Sequence, residues 1–501
     1  MKPMLMLPLV TCAALLASVS AQDSALQLGL LSGYEGVKRR LENYAEKLSL
    51  EERYKDIDLK YLTQRLDHFT PSVTDTWKQL YAENFEHYGG NNLIFLMIGG
   101  ESSISTDWLR RSFMSKQAEK FKAATFTTEH RFYGKSIPRD LSIESLRYLS
   151  SEQALADLAH FITQMNIKHG FKNPKWIVFG GSYAGSLAAW LRYRYPHLVY
   201  AAVASSGPLL AKVDFHEYFE TVSKSLSSLG SHKCEEAVRA ANKIMSEGVL
   251  KRNKASTLPR SFRHFRPLED NKNDISYFFL SLAIPIGSAA QYGDVGIIQN
   301  ACEYMTDESI KCPVHRYAEF SKLIRGGQCL AHEFANLVAF LKDTNLGVLF
   351  GVRQWFYQTC TEFGWFFTSN RKNDLFGDKI TTDFGDSICT DAYNRKFDTS
   401  FVERSVNETN LNYGGYNLPV TRVAFVHGMN DPWSPLGIMK KAPKGSVAIT
   451  IKGVAHCADM MPDQDTDSQP LKNARARISR MLERWIKAKT SEDEELSLAD
   501  F

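Results

Sequence analysis

The chain predicts an α/β protein, a mainly parallel sheet with helices on both faces and a helical cap inserted into it. Two blocks of apolar strand-like runs alternating with helical spacing carry that expectation. Between them lies a stretch of amphipathic helical pattern that holds most of the cysteines. In the first block, residues 61–209, Leu93-Ile94-Phe95-Leu96-Met97-Ile98 reads as a buried strand ending at Gly99-Gly100-Glu101. Ala124-Thr125-Phe126-Thr127-Thr128 is the next, leading into Glu129-His130-Arg131. Ser150 and Gln153 have the spacing of a capping box, and Leu155, Leu158, Ile162 and Met165 continue it as a helix. Trp176 to Phe179 is a strand, Leu187 to Leu191 a helix, and Val199 to Ala204 the last strand of the block. In the second block, residues 396–490, Val423 to Val426 and Val447 to Ile451 are strands. Leu471, Ala474, Ile478, Met481, Leu482 and Trp485 then trace the apolar stripe of a closing helix. Residues 210–395 are the cap.

Composition narrows the function. The chain has 501 residues, 44% hydrophobic and 23% charged, with a formal net charge of +4, as in an ordinary globular protein of more than one domain. That charge is too small, over this length, to argue for nucleic acid as a partner. Lys2, an apolar run from Met4 to Ala17 and the small residues Val19-Ser20-Ala21 make residues 1–21 a secretory signal peptide. A secreted or lysosomal location follows, reached through the secretory pathway. No later run reaches about 18 consecutive apolar residues, so no membrane association is expected of the mature form. Residues 22–60 are charge-rich and read as an N-terminal helix or pro-segment, and the acidic end 491–501 as a disordered tail. Asn407-Glu408-Thr409 is a sequon open to glycosylation on Asn407. Once Cys12 leaves with the signal, Cys234, Cys302, Cys312, Cys329, Cys360, Cys389 and Cys457 remain, which predicts three disulfides and one free thiol. None has zinc-type spacing, so neither a metal nor another cofactor is expected.

The chemistry concentrates at Gly180-Gly181-Ser182-Tyr183-Ala184-Gly185, between the strand Trp176–Phe179 and the helix that follows. A sharp strand-to-helix turn lifts a serine hydroxyl above the sheet, and only small neighbours fit around it. The pattern departs from G-x-S-x-G in carrying Ala184 where glycine is usual. An acyl-transfer serine needs a base, and the base needs a carboxylate to orient it. In the α/β-hydrolase order the acid and then the histidine follow the serine, each just past a strand. Asp431 and His456 occupy those places; His68, His130 and His427 do not. The N–H of Tyr183, and an N–H at Gly100 in the turn after the earlier strand, are the expected oxyanion donors. Glu101 in the same turn is a candidate substrate-binding acid. Trp433, two residues past Asp431, either lines the cleft as an aromatic wall or packs beneath the loop.

Five segments together resemble one family. Leu66-Asp67-His68-Phe69, Glu129-His130-Arg131-Phe132-Tyr133-Gly134-Lys135-Ser136-Ile137-Pro138, the Ser182 turn, Asn430-Asp431-Pro432-Trp433 and Ala455-His456-Cys457 look like serine peptidases. That family includes lysosomal prolylcarboxypeptidase, dipeptidyl peptidase II and thymus-specific serine protease. Ala184 and the segment Arg353 to Gly364 are most similar to the thymus-specific branch. The resemblance implies an α/β-hydrolase core with an inserted cap, a triad of Ser182, Asp431 and His456, and cleavage of peptide or protein substrates near proline. It also implies a disulfide between Cys360 and Cys389, which leaves Cys457 as the candidate free thiol. A carboxylester hydrolase on the same core and a non-catalytic binding protein are the alternatives. The choice between carboxypeptidase and dipeptidyl peptidase stays open, as does the oligomeric state, a homodimer included.

Overall fold

In the computed structural model the described residues are 57–250, 262, 271–293, 295–324, 330–345, 351–371 and 374–488. The signal peptide, nearly all of the segment 22–60, Cys329 and the acidic tail lie outside them.

Eight strands form the central sheet, in chain order β1 (Leu59–Arg65), β2 (Thr76–Asn84), β3 (Leu93–Ile98), β4 (Ala124–Thr128), β5 (Lys175–Gly181), β6 (Val199–Ser205), β9 (Val423–Gly428) and β10 (Val447–Ile451). Across the sheet they lie β1-β2-β4-β3-β5-β6-β9-β10. Every pairing from β4 to β10 is parallel, while β1 with β2 and β2 with β4 are antiparallel. The inner strands β3, β4 and β9 are buried along their whole length because helices cover both faces. Helix α1 (Phe113–Phe121) and the closing helix α5 (Gln469–Lys487) share one apolar cluster with one face of the sheet. On the other face, α2 (Ser151–His169) and α3 (Tyr183–Arg194) merge with the cap into a second, continuous cluster. This is an α/β-hydrolase core. The stripe of α5 is buried at each of the six apolar positions that the spacing predicts.

The antiparallel pair β1–β2 has no counterpart among the expected strands. Its outer strand β1 is largely polar, with only Gln64 fully buried, so no apolar alternation marks it. The capping box at α2 forms only by half. Ser150 accepts from Gln153 N, whereas the Gln153 side chain turns to Asp67 Oδ1 at 2.7 Å and accepts from His68 N. Tertiary partners outcompete the reciprocal cap.

Between β6 and β9 the chain leaves the sheet. This excursion is helical as expected, with one addition: β7 (Lys212–Phe215) pairs in parallel with β8 (Gly364–Phe367), tying its two ends together. Helix α4 (Lys272–Tyr292) is long and apolar enough to cross a membrane, yet 83% of its apolar window is buried inside the protein, as the core of the cap. Disulfides join Cys234 to Cys302 and Cys360 to Cys389. Among the described residues Cys312 and Cys457 are free, so two bridges stand where three are expected from the count, Cys329 being outside.

Candidate active site

Ser182 follows the last residue of β5 and precedes α3, in a backbone conformation of φ +57° and ψ −132°. A non-glycine residue persists there only when its surroundings over-determine it. The reason that this sequence can make the turn is steric. A Cβ on Gly180 would lie 2.0 Å from Ala184 O, and one on Gly185 2.6 Å from Ser205 O. Ala184 is tolerated because the strict clashes fall on its neighbours; its own methyl is buried against Gly100.

Asp431 and His456 stand in the loops after β9 and β10, on the same carboxyl edge of the sheet as Ser182. In a parallel sheet that edge is where ligands are bound. His456 Nδ1 lies 2.9 Å from Asp431 Oδ2. Burial works against the imidazolium, but the Asp431 carboxylate outweighs it. The net effect holds the His456 pKa well above the ordinary histidine value. His456 Nε2 is buried and has no hydrogen-bond partner, so no bond to Ser182 is made in this conformation. The two loops are nevertheless neighbours, since a Cβ on Gly181 would come within 3.0 Å of Cys457 Sγ.

The other expected residues gather around the same point. Tyr183 opens α3, so its N–H is one of the first-turn amides that no helical carbonyl reaches. Gly100 packs on that helix start, where an added Cβ would be 3.5 Å from Ala184 N. Glu101, Ser182, Tyr183 and Trp433 all line one cavity of about 110 Å³. Much of its remaining wall is aromatic, from residues such as Tyr218, Trp355, Trp365 and Phe367, and Glu101 is the single acid or base among its described lining apart from tyrosines. Trp433 faces this cavity and is also packed on Phe215, Trp365 and Phe367, with 8% of its surface exposed.

The other motif histidines serve elsewhere. His68 Nε2 is 2.7 Å from Asp157, which also takes two bonds from the buried guanidinium of Arg131. His130 Nε2 is 3.1 Å from the Tyr183 hydroxyl, and burial pushes its pKa down to about 4. His427 is buried within β9, with neither ring nitrogen bonded and its pKa likewise pushed down by burial to about 4. Asn407 is exposed on the helix Thr399–Tyr413, while Thr409 of its sequon is buried and donates to Glu362 O at 2.6 Å.

Two cap residues complete the site and have no signal in the sequence. Gln291, at the end of α4, accepts from Trp433 Nε1 at 3.1 Å and from the Tyr218 hydroxyl at 2.9 Å. Its backbone carbonyl takes the His456 N–H at 2.9 Å. Gln358 donates to the Tyr183 hydroxyl at 3.1 Å and accepts from Tyr133 at 2.6 Å. A glutamine in a helix has no sequence mark that tells a buried clamp from a solvated side chain.

Comparison with known proteins places the chain in a family. The family model described as serine carboxypeptidase S28 matches residues 64–478. The mouse thymus-specific serine protease (Mus musculus) is 34% identical over 445 residues, covering 85% of this chain and 87% of its own length. The human lysosomal Pro-X carboxypeptidase (Homo sapiens) is 28% identical over 463 residues, covering 86% and 89%. The chain therefore belongs to the serine carboxypeptidase S28 family and is a serine-type peptidase.

Proposed function

We propose that the protein is an exopeptidase cleaving peptides near proline through an acyl-enzyme, with Ser182, His456 and Asp431 as its triad. The observation that carries this reading is the 2.9 Å Asp431–His456 bond, which leaves Nε2 as the unpaired nitrogen beside the serine turn. Asp431 holds Nδ1 protonated, so that in the neutral imidazole Nε2 carries the lone pair. Nε2 takes the Ser182 Oγ proton as Oγ attacks the scissile carbonyl, and the oxyanion forms against the Tyr183 N–H and an N–H at Gly100. His456 returns the proton to the leaving amine, and water then repeats the sequence on the ester.

An enclosed aromatic cavity suits a rigid apolar ring, which has no N–H to satisfy. The Pro-X carboxypeptidase among the relatives supports the same substrate class, and its lysosomal name supports a lysosomal or secreted location reached through the signal peptide. Glu101 is assigned to the substrate. Peptide or protein chains are the partners; a homodimer is compatible with the reading and not required by it.

The test is digestion of a defined peptide library by the wild-type protein and by Ser182→Ala, with fluorophosphonate labelling of both. Products shortened from one end near proline, and no turnover or labelling in Ser182→Ala, are expected. Full turnover in that variant would remove the nucleophile assignment, and internal cleavage would remove the exopeptidase one.

A further inference from the structure

The end of β6 lies beneath both the serine turn and the histidine loop. Ser182 N donates to Ser205 O at 2.9 Å, and Cys457 N donates to Ser206 Oγ at 2.9 Å. Two consecutive residues thus hold the amide of the nucleophile and the amide next to the base. The arrangement is held under constraint, because Ser206 and Cys457 adopt φ of +51° and +54°. Such conformations relax unless something fixes them.

What fixes this one is Asp459. It lies in the short turn Ala458–Met460 that continues the histidine loop, is 3% exposed, and accepts from Ser205 Oγ at 2.5 Å. Arg475 of α5 secures the turn from behind, donating to Asp459 O at 3.0 Å and to Ala458 O at 2.8 Å. Its remaining capacity goes to Asp463 and Asp467. The Asp459 carboxylate is therefore directed at the strand end. Burial raises the Asp459 pKa to about 6 although the Ser205 hydroxyl bond works against that rise, and a buried carboxyl group is costly to keep without such a partner.

We infer that Asp459 is a positioning residue of the peptidase, anchoring Ser205 so that the serine turn and the histidine loop keep one register. The inference rests on Ser182 and His456 being nucleophile and base. It acts on their alignment and not on substrate binding, so it affects kcat and leaves KM in place. A displacement of about 1 Å between reacting groups costs on the order of 10²-fold.

Asp459→Asn, Asp459→Ala, Ser205→Ala and the double alanine variant test it, with Ser182→Ala alongside. Turnover is measured per folded molecule, the folded fraction coming from circular dichroism melts. Asp459→Ala is expected to lose about 10²-fold in kcat with KM within about twofold, and Asp459→Asn less. Ser205→Ala should lose a similar factor, and the double variant no more than either single one, because both act through one bond. Asp459→Asn retains the shape of the site and reports the effect even if Asp459→Ala does not fold. Wild-type kcat per folded molecule in the Asp459 variants, or losses that multiply in the double variant, would overturn the inference while an inactive Ser182→Ala left the triad standing. An active Ser182→Ala would overturn both.

Discussion

His456 Nδ1 lies 2.9 Å from Asp431 Oδ2, with the two side chains 1% and 0% exposed. In so dry a place the carboxylate is what keeps the imidazole basic, since burial alone lowers a histidine pKa. Asp431→Asn is therefore expected to cut kcat about 10⁴-fold. The acid limb of kcat/KM should also move to lower pH, because the raising influence on His456 is gone. The pH–rate profiles of both proteins check this. Near-normal rates with an unmoved limb would place the orienting acid elsewhere.

Trp433 carries two loads, as cavity wall and as the centre of an aromatic cluster held by Gln291. Trp433→Ala should thus lower kcat/KM for proline-containing peptides more than for alanine-containing ones. It should also destabilise the fold by about 3–5 kcal/mol, the range for a large buried aromatic. Kinetics on paired substrates and urea unfolding separate the two effects. Equal losses on both substrates would leave only the packing role.

Glu129 makes the stability depend on pH. Its carboxyl is 1% exposed, and burial raises its pKa from 4.5 to about 7 despite bonds from Ile104 N and Lys135 N. The folded protein then holds a proton that the unfolded chain releases, so this contribution falls as pH rises from 4.5 to about 7 and is flat above. The loss amounts to about 3 kcal/mol. Glu129→Gln should remove that slope, read as the change in unfolding free energy between about pH 5 and about pH 7.5. An identical slope in the two proteins would assign the titration to another group.

The Cys360–Cys389 bridge closes 29 residues, next to Thr359 in the cavity wall. Replacing both cysteines by alanine should cost about 3 kcal/mol, chiefly by loosening the unfolded state. KM should rise as the wall loses its tether. Unfolding curves and Michaelis kinetics report these separately, and an unchanged KM would confine the bridge to stability.

The core was legible where burial is uniform. β3 runs over the residues that its apolar content marks, because a strand covered on both faces needs no alternation to be seen. The serine turn was legible for a steric reason, since glycines crowded by Ala184 O and Ser205 O leave a mark in any sequence. β1 and β7 were not, for β1 is largely polar and β7 is short and owes its pairing to β8, far along the chain. Gln291, Gln358 and Asp459 escaped for the same reason. Their meaning lies in which carbonyl or hydroxyl the fold brings to them, and the local sequence holds no record of that.

The bond from His456 N to Gln291 O has an evolutionary consequence. Many insertions are modules that recombination can exchange while the scaffold goes on working. Here His456 is moored to the inserted helix itself, and the Asp431 loop to the same glutamine through Trp433. A lineage cannot trade this insertion for another to acquire new substrates without releasing its own histidine. Diversification is thereby steered toward point changes in the aromatic wall, and a chimera made by grafting a foreign cap would inherit a scaffold with that histidine adrift.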